Sequence, residues 1–156
     1  MKDMVSKGKG RLLGLDYGEK FIGVAVSDGL GITAQGLGRI VRRNPQADLD
    51  KIRELIKEHR VEKLIVGLPR RMDGTLGTQA EAVMKFIEKL RGALGMEVEP
   101  WDERLTTVEA ERAMIRGDLS RSKRKRIVDK LSAVLILQSY LDHLHFSLQG
   151  KVSDED

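Results

Sequence analysis

Residues 11–27 read RLLGLDYGEKFIGVAVS, and this stretch predicts how the fold begins. Its two apolar runs, residues 11–16 and 21–27, are separated by a short turn that contains Gly18. In the second run, large apolar residues alternate with smaller or polar ones, which is typical of a β-strand. The stretch therefore predicts a β-hairpin whose first strand ends at Asp16, next to the turn.

Strands and helices alternate after this hairpin. A third strand would close an antiparallel meander, and the β-α-β-α-β order that follows predicts an α/β domain with a mixed sheet. Glycines inside the first two strands, Gly14 and Gly23, are typical of places where another group approaches the backbone closely. The further predicted elements are strands over residues 36–42, 61–67 and 96–101 and helices over 47–59, 78–94, 106–115 and 127–144.

The composition is that of one globular domain in a chain of 156 residues. We expect a disordered lead over residues 1–9, the domain over residues 10–146 and a flexible acidic tail over residues 147–156. Because the chain has no cysteine, disulfides, thiolate metal ligands and cysteine nucleophiles are excluded. No signal peptide is evident, and the longest apolar run, residues 133–137, is far shorter than the ~20 residues of a membrane span. We therefore expect a cytoplasmic protein.

Three acidic residues stand where simple solvation does not explain them: Asp16, Glu103 and Asp129. Asp16 and Glu103 follow predicted strands, and Asp129 lies in the first turn of the last predicted helix. If the two strands are adjacent and parallel, their carboxyl ends meet at one edge of the sheet. Carboxylates 4 Å apart repel by roughly 4 kcal/mol at an effective dielectric constant near 20, and a divalent cation removes that cost. We interpret the three as one Mg²⁺ or Mn²⁺ site, with one ion or two, for phosphodiester chemistry.

Each acid also has a simpler explanation. Asp16 could only initiate a turn, Glu103 could pair with Arg104 at the surface, and Asp129 could only stabilise the helix dipole. Asp102 is a weaker candidate ligand than its neighbour Glu103, although their order could be reversed.

Two basic segments are candidates for contact with a phosphate backbone. The loop after the fourth strand carries Arg70 and Arg71, and residues 116–126 carry six positive charges against one aspartate. Both could also be ordinary solvated loops. Aromatic residues are only 4% of the chain, so we expect recognition of backbone and shape rather than base stacking. The predicted substrate-binding residues are Arg70, Arg71, Arg104, Arg121, Lys123, Arg124, Lys125 and Arg126.

Four blocks of the sequence resemble the pre-16S rRNA nuclease family, whose members are also called Holliday junction resolvases. The blocks occur in the family's order and cover most of residues 11–142. They are GLDYG with IGVAVS at residues 14–27, VGLP with MDGT at 66–75, DERLTT with EA at 102–110, and VD with AV and IL at 128–137.

The resemblance implies a ribonuclease H-like fold: a five-stranded mixed sheet, with a three-stranded antiparallel meander plus two parallel strands, flanked by helices. It implies a nuclease that binds a divalent metal through Asp16, Glu103 and Asp129. The implied substrate is the 5′ end of pre-16S rRNA, which would make ribosomal precursor particles a partner. One departure is Arg71, which stands where the family usually has asparagine, and it puts the substrate contact of that loop in doubt.

Other functions remain open. The same fold could resolve four-way DNA junctions, which would need two active sites and hence a homodimer, or it could bind RNA in ribosome assembly or transcription without cleaving it. The hairpin also resembles the phosphate-binding hairpin of sugar kinases and actin, but that architecture needs two such domains.

Overall fold

A computed structural model describes residues 10–70, 73, 75–103 and 132–146. The predicted helix over residues 106–115 and the basic segment 116–126 lie outside these residues. The described elements are β1 (Arg11–Tyr17), β2 (Phe21–Ser27), β3 (Ala34–Val41), α1 (Pro45–His59), β4 (Val61–Leu68), α2 (Thr78–Leu94), β5 (Glu97–Asp102) and α3, which covers residues 132–146.

The strands form one five-stranded sheet in the order β3-β2-β1-β4-β5. The β1–β2 and β2–β3 pairs are antiparallel, whereas β4 is parallel to both β1 and β5. This confirms the predicted meander with two parallel strands added. The described strands and α1 and α2 begin and end within two residues of the predicted bounds.

The start of α1 shows how the local sequence sets an element boundary. Asn44 has an extended backbone, and its Oδ1 accepts a hydrogen bond from the amide of Ala47 at 2.8 Å. Pro45 follows as the first helical residue, where its lack of an N–H costs nothing. The helix therefore begins two residues before the predicted Ala47.

Helices cover the sheet on both faces, and each face has its own apolar core. α1 and α2 pack on one face, against side chains such as Leu13, Leu15 and Val66. α3 packs on the other face, against Ala25, Ile65 and Trp101. Since successive side chains of a strand point to opposite faces, Gly14 and Asp16 lie on the α3 face.

Gly14 allows α3 to approach β1 closely. A Cβ atom at Gly14 would lie 2.8 Å from Leu137 Cβ and 3.3 Å from the carbonyl oxygen of Ala133. The prediction of a close approach at Gly14 is thus confirmed, and the approaching group is α3.

A polar cluster joins β4 and β5 to α3. The Lys63 Nζ lies 2.7 Å from carboxylate oxygens of Glu97 and Glu99 and donates to the Tyr140 hydroxyl at 2.8 Å. Burial alone would lower the pKa of Lys63, but these three partners hold the charged form and raise the pKa above its ordinary value. The cluster therefore ties the sheet's β5 edge to α3.

Within the described ranges, no helix combines the length and the hydrophobicity that crossing a bilayer requires.

Gly14→Ala should lower the free energy of unfolding by about 1–3 kcal/mol, because the added methyl group forces α3 away from β1. Gly92→Ala is the matched control: Gly92 lies in α2, and nothing approaches its missing Cβ within 4 Å. The control should gain up to about 1 kcal/mol from helix propensity. Urea denaturation measures both, and equal stability of Gly14→Ala and wild type would contradict the described packing.

Candidate active site

The carboxyl ends of β1, β4 and β5 lie at one edge of the sheet, because these three strands are parallel. Asp16 is the next-to-last residue of β1, and Glu103 directly follows β5. Both side chains are partly buried. Two of the three predicted acids thus stand at the same edge, as expected. The third, Asp129, lies outside the described residues.

The strands that carry the two acids are not adjacent, because β4 separates β1 from β5. Leu15 pairs with Val66 and Gly67 pairs with Trp101, so Gly67 stands level with Asp16 and between the two acids. The Glu103 Oε1 lies 2.8 Å from the position that a Gly67 Cβ would occupy. The Glu103 carboxylate therefore lies over the backbone of β4, on the same face of the sheet as Asp16.

The electrostatics of Glu103 show that the two acids interact. Burial raises the pKa of Glu103 to about 7, and the negative charges of Asp16 and Asp102 contribute in the same direction. The cause is the ordinary one: desolvation and like charges both disfavour the carboxylate. A cation bound beside Glu103 would favour its charged form.

Asp102 and Glu103 have different surroundings, although they are neighbours. Asp102 ends β5, and its Oδ2 lies 3.8 Å from the Arg70 Nε in an ion pair. By strand alternation Asp102 faces away from the side on which Trp101 packs against α3. These differences support the choice of Glu103 over Asp102 as the partner of Asp16.

The pair fits a divalent metal by the chemistry of its donors. Asp16 and Glu103 offer hard carboxylate oxygens, which suit Mg²⁺ and Mn²⁺, and a cation would relieve the repulsion that the raised pKa records. Among residues 10–70, 73, 75–103 and 132–146, no group of three or more histidines or acids has the arrangement of a metal site. The third ligand predicted from sequence, Asp129, is outside these ranges, so the described part of the site is a pair.

Of the predicted substrate-binding residues, the structure describes Arg70. It follows β4 at the same edge, pairs with Asp102 and forms an isolated antiparallel bridge with Leu76. Arg70 thus lies at the same edge of the sheet as the acidic pair. The others, Arg71, Arg104, Arg121, Lys123, Arg124, Lys125 and Arg126, lie outside the described residues.

Sequence reasoning missed a second basic group at this edge, formed by Lys20, Arg42 and Arg43. Lys20 and Arg43 are exposed, and both stand where β2 begins and β3 ends. Arg42 Nη1 donates to the carbonyl oxygens of Gly18 and Glu19 at 2.6 and 3.0 Å. It therefore clamps the turn that follows Asp16. The register of the meander was the available signal, since a third antiparallel strand must end at the edge where the first one ends.

Sequence comparison gives the relatives of this chain. The sequence model of a family described as "RuvX: Holliday junction resolvase" matches residues 10–143. A protein of Heliobacterium modesticaldum is 53% identical over 148 residues, which are 93% of this chain and 99% of the relative. One of Clostridioides difficile is 53% identical over 133 residues, which are 85% of this chain and 94% of the relative. Both bear the name "Putative pre-16S rRNA nuclease".

Comparison with solved structures identifies the fold. Thermus thermophilus RuvC in complex with a Holliday junction substrate superposes with a TM-score of 0.53 at 16% identity, over 88% of this chain and 96% of RuvC. This likeness in fold confirms the predicted ribonuclease H-like fold class. Divalent-metal use is general among nucleases of this fold. The chain belongs to the RuvX family and is a nuclease, an enzyme that hydrolyses phosphodiester bonds.

Proposed function

We propose that the chain is a Mg²⁺- or Mn²⁺-dependent endonuclease that trims the 5′ end of pre-16S rRNA in ribosomal precursor particles of the cytoplasm. The observation that carries the proposal is the Asp16–Glu103 pair, two mutually repelling carboxylates at the carboxyl edge of the sheet. The names of the relatives at 53% identity support the rRNA substrate.

The roles of the described residues follow from their positions. Asp16 and Glu103 would hold the metal, with Asp129 as the third ligand predicted from sequence. When bound, a divalent cation supplies an activated water and stabilises charge on the phosphodiester oxygens. Asp102 keeps Arg70 at the edge through their ion pair at 3.8 Å, and Arg70 would orient a substrate phosphate.

Basic residues along this edge of the sheet would hold a folded nucleic acid. Arg70 follows β4, which lies between the strands that carry the two acids, and Lys20 and Arg43 lie where β2 begins and β3 ends. Within the described ranges, no carboxylate forms an ion pair with Lys20 or Arg43. The sequence adds Arg71, Arg104 and the segment 121–126 as further candidate contacts. Contacts spread along this edge would position the phosphate backbone of the substrate over the acidic pair.

A four-way DNA junction is the second candidate substrate, and the description of the matching family favours it. A junction has two symmetric strands to cut, so this function requires a homodimer with two active sites. The rRNA function has no such requirement. Cleavage and oligomeric state together separate the two candidates.

The cleavage assay compares the wild type with Asp16→Asn on a pre-16S rRNA fragment and on a synthetic four-way junction, each with Mg²⁺ or Mn²⁺. Wild type should cut the rRNA fragment in the metal-dependent manner, and Asp16→Asn should lose at least about 100-fold in rate, because the variant loses a ligand charge. Asp50→Asn, on the exposed surface of α1, is the matched control and should cut normally. Cutting of the junction alone would replace the proposed substrate, and full activity of Asp16→Asn would remove Asp16 from the site.

The second test measures how binding depends on salt. Each phosphate contact contributes about 0.7–0.9 to the slope of log K against log salt concentration, so Lys20→Ala/Arg43→Ala should reduce the slope by about 1.5. The control Lys51→Ala/Lys57→Ala removes the same charge from α1, which leads away from this edge to the start of β4. Binding is measured by fluorescence anisotropy with EDTA present, so that no cleavage occurs. Identical slopes for the two double variants would exclude the β2–β3 side as a contact surface.

The third test follows the charge of Glu103 without metal. The folded chain holds the Glu103 proton more tightly than the unfolded chain does, since the pKa is about 7 against an ordinary 4.5. The contribution of Glu103 to the free energy of unfolding should therefore fall as pH rises between these two values. As pH rises from about 4.5 to about 8 in EDTA, the free energy of unfolding of Glu103→Gln should increase by roughly 1–3 kcal/mol relative to that of wild type. Parallel pH profiles in urea denaturation would show that the pKa of Glu103 is not raised in the folded chain.

A further inference from the structure

We propose that Gly67 is a positioning residue for the metal site, because its bare backbone lets the Glu103 carboxylate cross β4 and reach Asp16. This inference rests on the proposed function, since it concerns the metal that the pair would bind. The inference gives β4, the strand between the two acids, a role in the site through a glycine, a residue without a side chain.

Space, rather than backbone conformation, is the reason for glycine at this position. Gly67 lies in the extended strand β4, and the glycines with positive φ among the described residues are Gly31, Gly38 and Gly95. Any residue could therefore adopt the backbone of Gly67. A side chain, however, would place its Cβ 2.8 Å from the Glu103 Oε1, which is closer than real Cβ contacts allow.

Ile136 of α3 also lies against the position of a Gly67 Cβ atom. Its Cγ1 is 3.1 Å from that position, and its Cδ1 is nearer still. Ile136 and Trp101 belong to the buried core under α3. A methyl group at Gly67 would therefore displace both the core side chain Ile136 and the carboxylate of Glu103.

Gly14 provides the comparison that separates positioning from packing. It lies on the same face of the sheet, and its missing Cβ also faces α3, but its neighbours there are Leu137 and Ala133. A substitution at Gly14 disturbs the packing of α3 on β1 and adds no atoms between Gly67 and Glu103. If Gly67 only served packing, relief of the core at Ile136 would restore the metal affinity of a Gly67 variant.

The test measures Mn²⁺ affinity by calorimetry in the absence of nucleic acid, with melting temperature as the second readout. The variants are Gly67→Ala/Ile136→Val, in which loss of Cδ1 relieves the core, and Ile136→Val alone as the control. The double variant should recover part of the stability that Gly67→Ala loses but bind Mn²⁺ at least about tenfold more weakly than wild type. Ile136→Val, which keeps Gly67, should keep a Kd within about twofold of wild type.

A second variant leaves Gly67 and α3 untouched. Glu103→Asp keeps the charge but shortens the side chain by one methylene, so that the carboxylate no longer extends over β4. We expect about the same tenfold loss of Mn²⁺ affinity. Glu103→Asp thus measures how much affinity depends on the length of this side chain. If Gly67→Ala/Ile136→Val does not fold, Gly67→Ala/Ile136→Ala, which also removes Cγ1, takes its place and should show the same tenfold loss.

The outcomes also distinguish this inference from the function on which it rests. If wild type binds Mn²⁺ and both Gly67→Ala/Ile136→Val and Glu103→Asp bind it equally well, the positioning role is wrong and the nuclease site stands. If Ile136→Val alone loses Mn²⁺ affinity as strongly as the double variant, packing alone accounts for the effect and the inference is overturned. If wild type binds no Mn²⁺, the proposed metal site itself fails.

Discussion

The repulsion between the Asp16 and Glu103 carboxylates is the constraint around which this edge of the sheet is arranged. Burial and two neighbouring negative charges raise the pKa of Glu103 to about 7. A fold gains nothing in stability from such a pair, because each carboxylate loses hydration and meets a like charge. The arrangement makes sense as a site that a cation completes, and the nuclease activity of the family gives that cation its use.

The rest of the fold holds the two acids in place. The hairpin fixes Asp16, because Arg42 binds the carbonyl oxygens of the turn that follows it. The parallel strand β4 then sets the separation between β1 and β5, and Gly67 keeps the space above it open. α3 closes the same face by packing on Gly14 and on the gap at Gly67. Packing therefore favours glycine at both positions, because a methyl group at either one would collide with α3. At Gly67 the methyl group would also displace Glu103.

The sequence predicted the elements well because their signals are local. Alternation, helical periodicity and the turn residues at Gly18 and Pro45 do not depend on the partner of each strand. The carboxyl-edge location of Asp16 and Glu103 followed from the same local reasoning. Strand order did not, because pairing is decided by contacts distant in sequence, and the sequence left open whether β1 and β5 are adjacent. The basic group at Lys20 and Arg43 was missed for the same reason: its location depends on the register of β3. The role of Asp129 remains a prediction from sequence.

The most direct measurement is an anomalous diffraction map of a crystal of this protein soaked in Mn²⁺. We predict one or two manganese peaks within coordination distance of carboxylate oxygens of both Asp16 and Glu103. The Glu103 side chain should lie across Gly67. Manganese bound elsewhere on the chain, or held by Asp16 with Glu103 turned away from it, would contradict the claim that these two carboxylates form one metal site.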